Sequence, residues 1–384
     1  MQMSKQKLKL PDIDFNMPIT DLVIELEKLR YKILEGTTHP LVFNQMKNIF
    51  HMLESIGSTR IEGNNTTIMD YVETTKISNT NEPERNEQIK EITNIEAATS
   101  YIERVIDTTP ISIHFIKELH SLTVESLSAN KEGCRRKGDF RGSNVKISGS
   151  SHVPPDFIDV DPLMRELVDF LNEDTPPKYD LLKICVAHHR FVWIHPFENG
   201  NGRVVRLFTY ALLLKNVFKS KQRIINPTAV FCSDRSDYYK KLSLADTYTN
   251  EGMIEWCEYV LHGLKSEIEK IDKLMNYSYL KDMILIPAMS DALSKKYITD
   301  DEYEILRLAI NSHTQEIQAG DIKKIYNKKS ASDISRKIKS LIEKRMLMPV
   351  ADRARKYVVS FANNYLLRSI LKELDENGFL PLNK

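Results

Sequence analysis

The chemistry of this 384-residue chain is concentrated in one run, His195-Pro196-Phe197-Glu198-Asn199-Gly200-Asn201-Gly202-Arg203-Val204-Val205-Arg206. Gly200 and Gly202 can adopt φ values closed to other residues, so Gly200-Asn201-Gly202 can turn successive backbone N–H groups into one concave, anion-attracting nest. From Arg203 no helix breaker follows until well past Arg206, so the turn opens a helix whose N-terminal partial charge favours anions too. Arg203 and Arg206 share one helical face and offer two guanidinium forks to phosphate oxygens. His195, just ahead of the turn, is the side chain best suited to taking a proton near neutral pH. Each residue alone is compatible with an ordinary loop, surface ion pairs and a satisfied histidine. All of them at this spacing favour a phosphate cradle beside a general base.

The run resembles the signature of Fic-domain proteins, His-x-Phe-x-(Asp/Glu)-Gly-Asn-Gly-Arg-x-x-Arg, and matches it at His195, Phe197, Gly200, Asn201, Gly202, Arg203 and Arg206. It departs at the acidic position, which is Asn199 here, with an acid one residue earlier at Glu198. In the family that acid holds a Mg²⁺ bridging the nucleotide phosphates. An amide oxygen carries no charge, so the resemblance implies a weakened Mg²⁺ or Mn²⁺ site at Asn199, assisted by Glu198.

What the resemblance implies about activity is transfer of AMP from ATP to a Ser, Thr or Tyr hydroxyl of a protein, with release of pyrophosphate. His195 is then the base, Gly200, Asn201, Gly202 and Arg203 hold the phosphates, Arg206 anchors the γ-phosphate and Phe197 fixes the loop in the core. Transfer of another nucleotide, of phosphocholine or of phosphate remains open on the same scaffold. A different class is a nucleotide-sensing DNA-binding regulator with a weak or altered site.

These residues need elements to position them. Leu22, Leu26, Leu29 and Ile33 recur at helical spacing, as do Phe43, Met46, Ile49, Phe50 and Leu53. The second of these helical patterns stops in Glu62-Gly63-Asn64-Asn65, a plausible C-terminal stop. Beside the signature, Ser58, Glu62 and Gly63 resemble the family's inhibitory motif, (Ser/Thr)-x-x-x-Glu-(Gly/Asn). A Glu62 carboxylate paired with Arg206 would occupy the space and the guanidinium that the γ-phosphate needs. The resemblance also leaves open removal of AMP by the same site, with Glu62 orienting a water.

Residues 78–90 read as a charged loop, followed by helices from about Glu91 to Ile106 and from Pro110. Between Gly133 and Pro155 the pattern changes: Val145-Lys146-Ile147 alternates between turn-rich flanks and predicts a short hairpin. In the family this stretch, residues 140–153 here, is a flap on which the target protein docks by β-addition. Helices over 161–173 and 179–192 lead to His195. His188 and His189 do not make a zinc pair, because neighbours on a helix point about 100° apart. Downstream, Ser233 and Asp234 cap a helix carrying Tyr238 and Tyr239, which in Fic proteins lie near adenine and ribose; Asp246 is a further candidate.

From about residue 300 the pattern becomes helix, helix, helix, strand, with short helices over Asp301–Ile310 and Ile317–Tyr326, a helix capped by Ser330 and a wing over Met348–Phe361. This resembles a winged helix-turn-helix, with Ser332, Arg336, Lys337 and Lys339 on the recognition helix and Arg353, Arg355 and Lys356 in the wing. Contact with DNA through residues 330–356 or protein docking are both open. The expected fold is therefore mainly α, a Fic-type helical core with a β-hairpin flap plus a C-terminal winged helix-turn-helix. Its parts are a helical region with the inhibitory motif (1–110), the core (111–285) and the winged-helix-like domain (295–384), Pro287 marking the boundary.

Composition agrees with a folded, water-soluble chain: 41% hydrophobic residues and a net charge of +1 give no overall field that commits it to nucleic acid or membrane. Cys134, Cys185, Cys232 and Cys257 lack zinc or disulfide spacing, so reduced thiols are expected. With no apolar leader and no run near the roughly 18 residues of a membrane span, the expected location is cytoplasmic. Self-modification and a homodimer complete the expected partners.

Overall fold

The computed structural model describes residues 7–31, 36–77, 87–147, 149–218, 227–232, 234–326 and 330–380. In chain order its helices are α1 (Pro18–Tyr31), α2 (Pro40–Ile61), α3 (Ile68–Val72), α4 (Glu87–Val105), α5 (Ile113–Thr123), α6 (Val160–Asn172), α7 (Asp180–Ile194), α8 (Asn201–Leu212) and α9 (Pro227–Cys232). They continue with α10 (Arg235–Ala245), α11 (Asn250–Met275), α12 (Tyr277–Tyr279), α13 (Ile286–Ser294), α14 (Asp300–Asn311), α15 (Ala319–Ile325), α16 (Ala331–Glu343) and α17 (Leu366–Glu376). Three short strands, β1 (Ile317–Gln318), β2 (Leu347–Pro349) and β3 (Lys356–Val359), and several short π- and 3-10-helical turns accompany them. The described residues fall into two compact units, one built from stretches 1–32, 54–66 and 84–268, the other from 33–53, 67–83 and 269–384.

The first unit is organised around α7 and α8. In α7 every residue from Leu181 to Phe191 is buried, and in α8 every residue but Gly202. A helix buried on all sides belongs at the centre of a bundle. Amphipathic helices surround the pair: α6 turns Leu163, Leu167 and Phe170 inward, and α11 turns Trp256, Leu261 and Leu264 inward. Each such side chain contributes on the order of 1.5–3 kcal/mol of burial free energy. The Trp256 indole N–H donates to the Cys185 carbonyl at 2.8 Å and fixes α11 on α7. Local chemistry sets the helix ends. Ser112 accepts from the Phe115 N–H at 3.2 Å, and Asp234 from the Asp237 N–H at 3.0 Å. The companion cap residue Ser233 lies outside the described residues, as do positions 78–86 of the expected 78–90 loop; its remainder already belongs to α4.

The hairpin expected within 140–153 is not formed: among the described residues this segment contains no strand. A hairpin needs two arms that pair on a common face. Here Val145 and Ile147 are only half-buried, and side chains tether the segment instead. Asn144 donates to Asp156 at 3.1 Å and accepts the Phe157 N–H at 2.8 Å.

In the second unit α14, β1, α15, α16, β2 and β3 follow in sequence, and the strands form an antiparallel sheet of order β1-β3-β2. Ile317 pairs with Tyr357, and Leu347 with Val359. The helix expected over Ile317–Tyr326 starts two residues late because Ile317 and Gln318 pair with β3. Gln45 of α2 donates to the Val359 carbonyl at 3.0 Å and accepts the Phe361 N–H at 2.7 Å, closing the end of the sheet. Pro287 does not interrupt the helical run; it stands in the first turn of α13, after a π-turn, where its missing N–H is tolerated. Among the described residues no helix is long and apolar enough to cross a membrane.

Candidate active site

His195 caps α7 in the left-handed region (φ 51°, ψ 61°), an unusual conformation for a residue with a side chain. Arg141, itself buried, holds it there. Its guanidinium donates to the carbonyls of His195 (2.9 Å), Pro155 (2.5 Å) and Ser143 (3.1 Å), and its backbone N–H to Pro196 (2.9 Å). Burial pushes the His195 imidazole down to about 4, so it is neutral at pH 7 and able to accept a proton.

The turn that follows is locked from within. Asn201 accepts the Phe197 N–H and donates back to the Phe197 carbonyl, both at 2.9 Å. The His120 ring stacks on Phe197 at 3.8 Å and 2°, accepts from the Gly138 N–H at 3.0 Å and donates to the Asn199 carbonyl at 3.2 Å. Burial lowers His120 to about 4 as well. Gly200 takes φ 77° at the N-cap of α8, the conformation its sequence position predicts.

Arg206, one turn into α8, is buried and fully engaged by the end of α2. It donates to Ser58 Oγ at 2.9 Å, to the Ser58 carbonyl at 2.7 Å and to Glu62 Oε1 at 2.7 Å. Gly63, at φ 105°, terminates α2 and lets the chain turn away. Burial acts to raise the Glu62 carboxyl, but the Arg206 guanidinium outweighs it and the net direction is down. A Cβ placed on Gly202 would sit 2.1 Å from Glu62 Oε1, so this carboxylate lies directly over the first turn of α8.

Glu62, His195, Asn201, Gly202 and Arg206 line one end of a cavity of about 650 Å³, bounded elsewhere by Ile147 and Gly149–His152, by Trp193, and by Arg235, Tyr239 and Asp246. That volume suits a nucleotide-sized ligand, small-molecule sites spanning roughly 300–1,000 Å³. Tyr239 is 43% exposed and faces the cavity. Tyr238 also contributes to its wall but is buried, with its hydroxyl 3.0 Å from His188 Nε2.

Four expected site residues are placed elsewhere, Gly200 among them, its N–H being spent on Asn199 Oδ1. Arg203 does not reach the cavity; it is buried against Glu91 (2.7 Å) and Glu132 (2.9 Å). Asn199 donates to the carbonyls of Lys131 (2.7 Å) and Gly133 (3.3 Å), and its Oδ1 accepts the Gly200 N–H at 2.7 Å. Its amide is thus consumed by the loop. Glu198 lies beside Cys134, 3.8 Å from its sulfur. Neither residue lines the cavity, so the residues present do not fit a Mg²⁺ or Mn²⁺ held at Asn199, and among the described residues no cluster of three or more His, Cys, Asp or Glu side chains is arranged for a metal.

His188 and His189 are interior histidines whose partners lie within the helical bundle. His188 lies 2.8 Å from Thr209 Oγ1, and His189 donates to Asp246 at 2.8 Å. Sequence reading missed Arg141 and His120 as supports of the turn and Glu91 and Glu132 as partners of Arg203. Of these only Arg141 stands in a local motif, Gly138-Asp139-Phe140-Arg141, and the contacts themselves span from 54 to 112 residues, beyond any local rule.

The fold and site define a helical protein whose central helix pair presents a neutral imidazole beside an anion-attracting helix N-terminus. Residues 110–213 match the family model described as the Fic/DOC family, so over those residues the chain carries a Fic domain. It is similar to the protein adenylyltransferase Fic of Drosophila willistoni, 31% identical over 206 residues, which cover 53% of this chain and 37% of that protein. The corresponding Drosophila melanogaster protein is 30% identical over 53% of this chain and 38% of its own. The match thus spans well under half the length of these relatives. Among solved structures, a Fic family protein from Desulfovibrio desulfuricans has a similar fold at 21% identity (TM-score 0.55), covering 92% of this chain and 98% of that one. Fic-1 from C. elegans is similar at 19% identity (TM-score 0.51), covering 65% and 69%.

Proposed function

We propose that this chain transfers AMP from ATP to a hydroxyl group of a protein and that Glu62 restrains the reaction. The observation that carries this reading is the sharing of one cavity by a neutral His195 and a Glu62 carboxylate that covers the first turn of α8 and holds Arg206. The neutral His195 imidazole keeps a ring-nitrogen lone pair with which to take the proton. The target oxygen attacks the α-phosphorus as His195 removes its proton, and pyrophosphate leaves. The N–H groups of Asn201 and Gly202 and the Arg206 guanidinium hold phosphate oxygens once Glu62 has moved aside. Tyr239 and Arg235 flank the nucleoside end.

Segment 140–153, whose described residues form no strand of their own, is the surface on which an extended target segment adds. The second unit is a winged helix, supported by its helix and strand order. Four of its basic residues are paired within the chain, Arg336 with Asp333, Lys337 with Asp301, Lys344 with Glu302 and Lys356 with Glu316, which favours protein docking, while Arg353 and Arg355 in the wing stay exposed.

A second reading, a nucleotide-sensing regulator without turnover, is favoured by the engagement of Asn199 with its own loop. Labelling from α-³²P-ATP by wild type, Glu62→Gly and Glu62→Gly/His195→Ala decides between them. Label confined to the single variant is the expected result. ATP binding with no label in any of the three would establish the regulator.

A further inference from the structure

Glu62 is not the only link between the end of α2 and α8. Asn64, two residues on and 5% exposed, spends both amide protons on α4, donating to Glu91 Oε2 at 2.8 Å and to the Gln88 carbonyl at 2.9 Å. The other Glu91 oxygen accepts from Arg203 Nη1 at 2.7 Å. Glu91 and Arg203 are 2% and 0% exposed, so this chain of contacts is sealed from solvent and lies away from the cavity. Arg203 keeps a second partner in Glu132, whose side chain is 41% exposed. Its charge therefore stays compensated without Glu91, whereas Glu91 alone among the carboxylates facing Arg203 also receives Asn64.

We propose that Glu91 is a positioning residue that seats the Ser58–Glu62 segment on α8 through the buried path Asn64–Glu91–Arg203. The inference deepens the inhibitory reading of Glu62 and rests on it only for its effect on turnover. The two links differ in what can break them. Glu62 is 27% exposed and faces the cavity, so an incoming phosphate competes with it for Arg206. Glu91 is out of a ligand's reach. It keeps the segment in register while Glu62 swings, so that Glu62 returns to the same guanidinium when the cavity empties. A buried, fully bonded carboxylate is suited to this task because it fixes geometry more strongly than it adds stability.

The test is Asn64→Asp. The new carboxylate has nearly the shape of the amide and keeps the contact from the Thr66 N–H to Oδ1 (3.0 Å), but it removes both donors and faces Glu91 with like charge. Asn64→Ala, which removes the donors without adding charge, is run beside it. Amide hydrogen exchange over residues 58–64 is expected to rise roughly tenfold in either variant, the loss of a charge-assisted hydrogen bond. Labelling from α-³²P-ATP is expected to rise to a level between wild type and Glu62→Gly, and Asn64→Asp added to Glu62→Gly should bring no further rise, an epistasis that a general loss of stability would not produce. Unchanged exchange in both Asn64 variants, or labelling increases that multiply in the double variant, would overturn the proposal. Raised exchange with no label even in Glu62→Gly would leave the positioning role standing and remove the transferase reading; strong label in Glu62→Gly with unchanged exchange would do the reverse.

Discussion

The signature turn and segment 140–153 line the same cavity and are built in opposite ways. The turn is determined several times over, by the reciprocal Asn201 and Phe197 bonds, the His120 stack and the carbonyls gathered by Arg141. The described residues of segment 140–153 form no ladder, and at its end Val153 is 78% exposed. The difference teaches a division of labour. Groups that must meet reacting atoms are fixed before a ligand arrives, so nothing need reorganise at the moment of reaction. A surface that meets a separate chain, the role proposed for segment 140–153, keeps its backbone polar groups available. Arg141 belongs to both regions, since its backbone N–H and guanidinium hold the turn while its own chain begins the segment.

Changes in the turn should therefore cost most. His195→Ala in the Glu62→Gly background is expected to lower the labelling rate by roughly 10²–10⁴-fold, the usual contribution of a positioned base, with ATP affinity nearly unchanged by calorimetry. Arg141→Ala cuts the tie between the two regions and removes the guanidinium donor from three partly buried carbonyls. A loss of about 3 kcal/mol or more in urea unfolding is expected. An Arg141 variant as stable as wild type would show that the left-handed His195 is held by something else.

Acid should loosen the turn selectively. His195 and His120 are both depressed to about 4 by burial, while unfolded histidine titrates near 6.5. Between those values the unfolded chain binds protons that the folded chain refuses, so stability is full above about pH 6.5 and falls as pH drops toward 4. Each histidine accounts for on the order of 3 kcal/mol across that window. Replacing His120 by Asn should remove its share of the slope in urea midpoints measured from pH 7 to 4.5. An unchanged slope would mean that the ring is not desolvated as the structure places it.

Gly202→Ala tests the overlap of the Glu62 carboxylate with the first turn of α8. The added methyl would meet the far end of a flexible side chain, which can move, so the cost is the displaced Glu62–Arg206 contact. About 1–2 kcal/mol of destabilisation is expected in wild type and much less in Glu62→Gly. Equal cost in both backgrounds would place the carboxylate elsewhere.

Much of this site was legible in the sequence, and the illegible parts share one cause. The turn and the opening of α8 follow from local rules about glycine and helix propagation, and the pairing of Glu62 with Arg206 follows from the resemblance once both motifs are seen. Arg203 reads as a phosphate ligand because it shares a face with Arg206, but residues three apart still point along different radii. Here the first radius meets Glu91 and Glu132, which no spacing rule connects to it. Asn199 was misplaced for a similar reason: its carbonyl partners belong to the loop at Lys131 and Gly133. The flap hairpin failed in the other direction. Alternation in Val145-Lys146-Ile147 is a local signal, and strand formation also needs a pairing partner, which is not found among the described residues.

The smallest expected effect lies in that segment and sharpens the contrast most. Gly149 has φ 74°, and nothing lies within 4 Å of a Cβ built on it. Gly149→Ala therefore meets no clash and carries only the left-handed strain of roughly 1 kcal/mol, in a segment without a ladder to break. Thermal stability should fall by no more than a few degrees. If the segment serves as a docking surface, the same substitution should raise the KM for a protein target while leaving ATP affinity untouched, because it restricts the backbone that an extended target must meet. A loss of ATP affinity instead would mean that residues 149–152 close on the nucleotide itself, and that the two regions are less separate in function than in construction.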